Sequence, residues 1–310
     1  MREQSGKETH MLRIGRREFI GGAASLAAGI AAAPLMAEPR KTKVVIVTCP
    51  DVIDRNRPVN TGALRRMFEA GIMRLSGRND VADAWKTFIT PADAVALADS
   101  GTWLLNVPEV VAEAARGILL ASPQSVSVTY CSLDTQHPDW MAQMRAGVTG
   151  AGVPPEALDG AVYTIPSNFH RKRFTALVMT PTLKSHSIAG VSGVVKHFAT
   201  MSRGGPAPHH PNAMETAGSV IIPEFGHMSH LVIVDALRFG ELTRGPKYFQ
   251  KSLIFGTDPV AADMVALDLF LEHNAPYGDL PPERHRVLAD TRYHAGISDR
   301  SQIEVVRLTV

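Results

Sequence analysis

Residues 178–201 read VMTPTLKSHSIAGVSGVVKHFATM. The apolar run 176–179 that leads into this stretch predicts a strand buried in a sheet. The polar segment 181–190 predicts a loop, and residues 191–201 predict a short helix. A strand that enters a polar, glycine-containing loop and then a helix is typical of α/β proteins that bind a ligand at one end of the sheet. This stretch therefore favours an α/β fold and marks the first place to look for a site.

The same stretch concentrates side chains that bind anions. Lys184, Ser185 and His186 lie in the predicted loop, and Lys196 and His197 lie near the end of the predicted helix. A helix amino terminus behind a glycine-containing loop favours negative charge, because its N–H groups are unpaired. We expect these five residues to bind a ligand. A solvated, lysine-rich loop in front of an amphipathic helix is the alternative interpretation.

The residues of this stretch resemble the signature P-x-L-K-[ST]-H-x-x-x-G-V-[ST]-x-x-x-K-N of the domain of unknown function 362 family. GTDPVAADMVALDLF (256–270) and IVDALRFGELTRGP (233–246) resemble two further segments of that family, in the same order. The resemblance covers roughly residues 160–310. It implies a fold and a site but no settled reaction, and His197 stands where the family usually has asparagine. The matching residues of the signature are Pro181, Leu183, Lys184, Ser185, His186, Gly190, Val191, Ser192 and Lys196.

Carboxylates and further histidines supply candidate metal ligands. Asp235 ends a predicted strand, Asp258 follows another and is also well placed as a helix N-cap, and Asp263 lies one turn into that helix. His209 and His210 form a pair in a proline-rich loop, where they are either metal or anion ligands or exposed polar residues. Aspartate and histidine are ligands of divalent metals, although no tight ligand spacing is present. The sequence therefore does not identify a cofactor, and a divalent metal is one candidate.

The two cysteines of the chain, Cys49 and Cys131, each end a predicted strand. They can form a disulfide in an oxidising compartment or remain two independent buried thiols, and both alternatives stay open. Two cysteines cannot supply the four thiolates of a usual iron–sulfur cluster, so we expect none.

The first 37 residues predict an export signal. Arg16 and Arg17 precede a weakly apolar run rich in glycine and alanine, which resembles a twin-arginine signal with cleavage near Ala37. A Sec signal or an uncleaved anchor is the alternative, although the run is short and weak for a membrane span. We expect the twin-arginine translocase as a partner and the periplasm as the location. This segment carries five basic and three acidic residues, which account for the whole formal net charge of +2, so nothing indicates nucleic-acid binding.

Strand and helix patterns alternate along the rest of the chain. The continuous apolar run KVVIVTC (43–49) and the alternating run SVSVTYC (125–131) predict buried strands, with amphipathic helices between them. This alternation predicts an α/β domain with a mainly parallel sheet and helices on both faces. We expect residues 38–310 to form one domain, with a candidate lobe boundary in the turn-rich segment 149–160.

The functional prediction follows from the same residues. No nucleophile elbow, P-loop, dinucleotide fingerprint or zinc helix motif is present. We expect an exported protein that binds an anionic small molecule, a metal, or both, in a pocket of lysine, histidine and aspartate. If it is an enzyme, His186 acts as general acid or base and Lys184 neutralises charge. A non-catalytic periplasmic ligand- or metal-binding protein is the alternative.

Overall fold

The fold is built on one large sheet, and the computed structural model describes residues 41–55, 58–99, 107–122, 129–131, 146, 173–210, 213–241, 244–275, 277 and 281–310. Eleven strands lie in the described part of the chain. They are β1 Thr42–Thr48, β2 Val95–Asp99, β3 Thr129–Cys131, β4 Ala176–Thr180, β5 Lys184–His186, β6 Gly190–Ser192, β7 Ser229–Ala236, β8 Phe239–Glu241, β9 Gly245–Tyr248, β10 Ser252–Gly256 and β11 Ile303–Thr309.

The helices of the described residues connect these strands or follow them. The α-helices are α1 Thr61–Ser76, α2 Val81–Lys86, α3 Pro108–Ala121, α4 Val194–Met201, α5 Pro259–Leu271 and α6 Arg284–Thr291. Short 3-10 helices span Ala207–His209, Met214–Val220 and Arg300–Gln302, and a π-helix spans Ile221–Phe225.

Seven strands form the large sheet in the order β11-β1-β10-β7-β4-β2-β3. Only β10 is antiparallel to its neighbours, and every other pairing in this sheet is parallel. The predicted α/β class with a mainly parallel sheet is therefore confirmed. The carboxyl ends of the six parallel strands lie along one edge, called here the carboxyl edge. Strand β10 ends at the opposite edge, called here the amino edge.

Both faces of the large sheet are covered by helices. Val45 and Val47 of β1 pack in one apolar core with Phe68 of α1 and Ile118 of α3. Their neighbours on β1, Val44 and Ile46, pack in a second core with residues of α4 and α5. Successive side chains of a strand point to opposite faces, so a continuous valine-rich run is what a strand between two helical layers requires. The predicted two-sided architecture is confirmed.

A second sheet of four strands, in the order β6-β5-β8-β9, replaces the loop predicted for residues 181–190. Strands β5 and β6 form a hairpin in which Lys184 pairs with Ser192 and His186 with Gly190. Gly190 has a φ of +69°, a conformation that glycine adopts without a steric penalty. The loop prediction was wrong because pairing with β8, about 55 residues further along the chain, satisfies the backbone of this polar segment.

The strand order excludes one of the two alternatives for the cysteines, the disulfide. Strands β1 and β3 both run toward the carboxyl edge, but five strand-to-strand steps separate them. At ~4.8 Å a step this amounts to about 24 Å, whereas the Cα atoms of a disulfide lie within about 7 Å of each other. Cys49 is a free, buried thiol. Cys49 and Cys131 therefore do not pair.

Two predictions fall outside the described residues: the signal at residues 1–37 and the lobe boundary at 149–160. Within the described part of the chain, no helix is both long enough and apolar enough to span a membrane.

Candidate anion-binding site

Several residues singled out by the sequence, among them Lys184, His186 and Lys196, lie near the carboxyl edge, where the chain leaves β4. Residues 181–183 still pair with β7: the N–H of Leu183 donates to the Asp235 carbonyl, and the N–H of Asp235 donates to the Pro181 carbonyl. The β5–β6 hairpin begins at the next residue, Lys184, and α4 follows the hairpin after Gly193. Lys196 therefore lies on the first turn of α4 and not near its end, as the sequence had suggested.

Lys184 is buried at this edge, with 4% of its surface exposed. Its Nζ donates one long hydrogen bond, of 3.4 Å, to the Thr182 carbonyl. Burial lowers the pKa of Lys184 to about 8, and the nearby carboxylates Asp99 and Asp235 limit the decrease. Burial has this effect because it disfavours the charged form of an amine. Lys184 thus remains mostly protonated at neutral pH.

Lys196 and His197 are equally enclosed, with 9% and 3% of their surfaces exposed. Burial and then the positive charge of Lys184 lower the pKa of Lys196 to about 7. Among the described residues, no hydrogen bond or ion pair reaches the Lys196 amine. The Nε2 atom of His197 is also buried without a hydrogen-bond partner in this part of the chain. These two neighbours hold unused hydrogen-bonding capacity in the interior.

His186 is held in one orientation by the turn of its own hairpin. Its Nδ1 accepts hydrogen bonds from the backbone N–H groups of Ile188 at 3.1 Å and Ala189 at 3.2 Å. The neutral ring therefore carries its proton on Nε2. Burial, followed by the charges of Lys196 and Lys184, lowers the pKa of His186 to about 3. A histidine with this pKa is neutral at physiological pH.

Two further histidines approach His186: His210, which belongs to the histidine pair that the sequence marked as a candidate ligand, and His285, which the sequence did not assign to the site. The His210 ring centroid lies 5.5 Å from that of His186, and the His210 Nε2 is buried with no partner among the described residues. His285 of α6 is buried and lies close enough to His186 for their charges to interact. Its pKa lies well below the usual value, mainly because of burial. The pair of adjacent histidines marked His210 in the sequence, whereas no local pattern marks His285.

His209 is buried beside this group, but its ring is committed elsewhere. Its Nδ1 lies 2.8 Å from the Thr216 hydroxyl, which donates its only proton to the Ala213 carbonyl at 2.6 Å. The His209 Nδ1 must therefore be the donor in the bond to Thr216. This bond ties the ring of His209, a predicted ligand, to the 3-10 helix that contains Thr216.

Two carboxyl groups lie close enough to Lys184 for their charges to act on it. Asp235 is buried near the end of β7, and its Oδ1 accepts a hydrogen bond of 3.0 Å from the N–H of Leu237. Burial raises the pKa of Asp235 to about 7, although the N–H groups of Leu237 and Val107 favour the ionised form. Asp99, at the end of β2, is equally buried and was not assigned from the sequence. Only the alignment of β2 and β7 in the sheet reveals that these carboxyls belong together.

Ser185 points away from this group. Its neighbours Lys184 and His186 share one face of β5, and strand alternation places Ser185 on the other. The Ser185 hydroxyl donates to the Gly240 carbonyl at 3.1 Å and lines a separate pocket of about 240 Å³ with Tyr248 and Phe270. The structure therefore does not bring Ser185 together with the two lysines.

Asp258 is also separate, because β10 runs antiparallel and delivers it to the amino edge. Its Oδ1 accepts hydrogen bonds from the N–H groups of Val260 and Ala261, and its Oδ2 accepts one from Ile297. Asp258 is thus the N-cap of α5, the structural role that its position also suggested.

The carboxylate of Asp263 lies at the amino terminus of α4, where the sequence predicted a bound anion. Its Oδ2 accepts a hydrogen bond of 2.9 Å from the N–H of Val195, in the first turn of α4. Its Oδ1 pairs at 3.0 Å with Arg286, and both side chains are fully buried. A Cβ on Gly193 would lie 1.9 Å from the same carboxylate, so only glycine fits there. The negative charge at the start of α4 is therefore supplied by the protein itself.

A family model described as a domain of unknown function (DUF362) matches residues 108–268, which is 161 of the 310 residues. The chain belongs to the DUF362 family. No curated protein and no solved structure matches the chain. In this DUF362 protein the matched region includes the lysine-bearing hairpin, helix α4 and Asp263. The contact between Val195 and Asp263 joins the two segments that carry the resemblance.

The site brings together two buried lysine amines and several histidine rings. Within the described ranges, no group of three or more histidine, cysteine, aspartate or glutamate side chains is placed to hold a metal ion. The groups that share this part of the carboxyl edge are called here the basic cluster, defined as Lys184, His186, Lys196, His197 and His210. Such an arrangement can neutralise an anionic group and donate hydrogen bonds to it.

Proposed function

We propose that this DUF362 protein binds a small anion, a carboxylate or a phosphate, in the basic cluster. The observation that carries the proposal is the burial of two lysines beside each other, one of which has no partner in the described part of the chain. Burying an ammonium group without a counter-charge costs several kcal/mol in proteins. An anion that contacts both amines would offset this cost.

The carboxyl groups near Lys184 do not balance the cluster fully. The pKa of Asp235 is about 7, so this group is only partly ionised at neutral pH. Lys196 is influenced by the charge of Lys184 and by none of these carboxylates. The uncompensated positive charge of Lys184 therefore favours a negatively charged ligand over a cation at Lys196.

His186 contributes to binding in this proposal. Its ring is oriented by two backbone N–H groups, its Nε2 carries the proton, and it stays neutral. Such a ring is a fixed hydrogen-bond donor, which can recognise an anionic oxygen without transferring a proton to it. This favours the ligand-binding role of the residue over the catalytic role.

The export of the protein is part of the proposal and rests on the sequence alone. Arg16 and Arg17 precede the weakly apolar segment that resembles a twin-arginine signal. Exchange of both arginines for lysine is expected to retain the protein in the cytoplasm when whole cells are fractionated. Equal amounts of wild type and variant in the periplasm would contradict twin-arginine export.

The test of the function is a titration of the purified full-length chain with inorganic phosphate and with oxalate by isothermal titration calorimetry. We expect saturable one-site binding of at least one of these anions. Lys184→Met should weaken it at least about 30-fold, which corresponds to the roughly 2 kcal/mol or more of a truncated buried charge contact. Lys86→Met removes an exposed lysine on α2 and should change nothing. The proposal would be overturned if neither anion binds, or if all three proteins bind the anion with equal affinity.

A further inference from the structure

The two lysines of the basic cluster occupy different environments. The Lys184 amine has a carbonyl acceptor in Thr182 and the favourable charges of Asp99 and Asp235. The Lys196 amine has neither, and the charge that acts on it most strongly is the positive one of Lys184. In the free protein at neutral pH, this arrangement therefore provides one ammonium group at Lys184 and one amine at Lys196 that is partly neutral.

A neutral lysine is a nucleophile toward carbonyl groups. Lysines that form Schiff bases are activated by desolvation in a buried pocket or by a neighbouring cation. Lys196 meets both conditions, with 9% of its surface exposed and Lys184 next to it. Its pKa of about 7 agrees with this assignment.

We infer that Lys196 forms a Schiff base with a small 2-oxo acid whose carboxylate is held by Lys184. The inference rests on the proposed function, because anion binding by Lys184 brings the carbonyl carbon to Lys196. In a 2-oxo acid the carboxylate and the carbonyl are on adjacent carbon atoms. Neighbouring ammonium and amine groups can therefore engage both parts of the molecule at once.

The backbone supports this division of roles. Lys184 and Ser192 are directly paired across the β5–β6 hairpin, so they share one face of the small sheet. Lys196 follows Ser192 by four residues and lies in the first turn of α4. The hydrogen bond from the N–H of Val195 to the Asp263 carboxylate holds that turn in place. A nucleophile on a fixed turn loses little conformational freedom when it reacts.

The chemical step balances without a further reactant. The lone pair of the Lys196 nitrogen forms a bond to the carbonyl carbon, and the π electrons of the carbonyl move to its oxygen. A proton passes from nitrogen to that oxygen, which gives a carbinolamine. The carbon–oxygen bond then breaks, the oxygen leaves as water with the second nitrogen proton, and a carbon–nitrogen double bond remains. The fixed Nε2–H of His186 can donate a hydrogen bond to the oxygen while it carries negative charge.

The experiment is reductive trapping on the full-length chain. The protein is treated with glyoxylate, the smallest 2-oxo acid, and sodium cyanoborohydride between about pH 5.5 and pH 9, and the modified lysines are quantified by peptide mass spectrometry. We expect Lys196 to gain one reduced adduct at least about tenfold faster than the exposed Lys86 at neutral pH, with a half-maximal rate near pH 7. Lys196→Arg should show no adduct at this position, and an excess of oxalate should slow the reaction of the wild type.

The outcomes separate this inference from the proposed function. Saturable binding of oxalate together with labelling of Lys196 no faster than that of Lys86 overturns the inference and leaves anion binding intact. Fast labelling of Lys196 that neither oxalate nor Lys184→Met slows overturns the role of Lys184 and therefore the inference in this form. Fast labelling that both of them slow supports the inference and the proposed function together.

Discussion

Two buried charged groups meet at the first turn of α4, and they differ in how their charges are compensated. The Asp263–Arg286 pair is fully buried, and each oxygen of the Asp263 carboxylate accepts a hydrogen bond. The Lys184–Lys196 pair is nearly as buried, but its charges have the same sign, and Lys196 has no partner in the described part of the chain. Removing one partner of a compensated pair leaves a buried charge unpaired and costs stability. An uncompensated pair already carries such a cost, and groups of this kind cluster at functional sites.

The difference teaches how to interpret the residues that carry the family resemblance. Asp263 and Gly193 serve the fold, because the carboxylate occupies the space that a larger side chain at position 193 would fill. Lys184 and Lys196 have no comparable structural role in the described residues. Mutations in the two groups should therefore change stability in opposite directions.

The largest effect is expected for Asp263→Ala. It leaves Arg286 buried without its carboxylate and the N–H of Val195 without its acceptor. Breaking a buried ion pair in this way costs about 3–5 kcal/mol of unfolding free energy. Asp268→Ala on the same helix removes an exposed pair with Arg300 and should cost at most about 1 kcal/mol. Equal midpoints of these two variants in urea unfolding would contradict the structural role of Asp263.

Replacement of Lys196 by methionine is expected to stabilise the protein, by roughly 1–4 kcal/mol. Because the pKa of Lys196 is lowered from 10.5 to about 7, its burial destabilises the fold at every pH below about 10.5, with the full cost below about pH 7. The gain in the methionine variant should therefore be larger at pH 6 than at pH 9. Urea unfolding at both pH values measures it, and a variant less stable than wild type at pH 6 would refute the account.

Gly193→Ala is expected to cost about 1–3 kcal/mol, because its Cβ would overlap the Asp263 carboxylate. Gly62→Ala is the matched control on α1, where the nearest atom to a new Cβ lies 3.5 Å away. That control should be neutral or slightly stabilising, since alanine favours helix more than glycine does. The comparison fails if both variants unfold at the same urea concentration.

The pH dependence of anion binding is the smallest of the expected effects. Binding of oxalate should weaken by about tenfold as the pH rises from about 6 to about 9, because Lys196 and then Lys184 lose their protons. Calorimetric titrations across this range measure the change. Affinity that stays constant, or rises with pH, would mean that the bound anion does not contact these amines.

Much of the fold could be predicted from the sequence, and the reasons are local. The valine-rich run of β1 and the apolar spacing of the helices are patterns within single elements. They can be interpreted without knowledge of distant contacts. The β5–β6 hairpin could not be predicted, because its polar residues acquire strand structure through pairing with β8. Turn signals within the segment point to a loop instead.

The site was only partly predictable for a similar reason. Lys184, His186 and Lys196 lie close together in the sequence, so a dense run of polar residues identified them. Asp99 and His285 come from distant elements that only the folded chain brings near. Asp258 and Asp263 were assigned to the pocket because carboxylates after strands often bind ligands. The antiparallel direction of β10 places Asp258 at the opposite edge of the sheet. Asp263 pairs with Arg286, so both carboxylates have structural roles.

The most direct test of the central claim is a measurement of the two lysine pKa values by NMR, with lysine labelled at Cε and assigned through Lys184→Arg and Lys196→Arg. The account predicts that Lys184 and Lys196 titrate at about 8 and about 7 in the free protein. Both pKa values should rise when oxalate is added, because a bound anion favours the charged amines. Two lysines that titrate near the ordinary value of 10.5, unchanged by oxalate, would contradict the account.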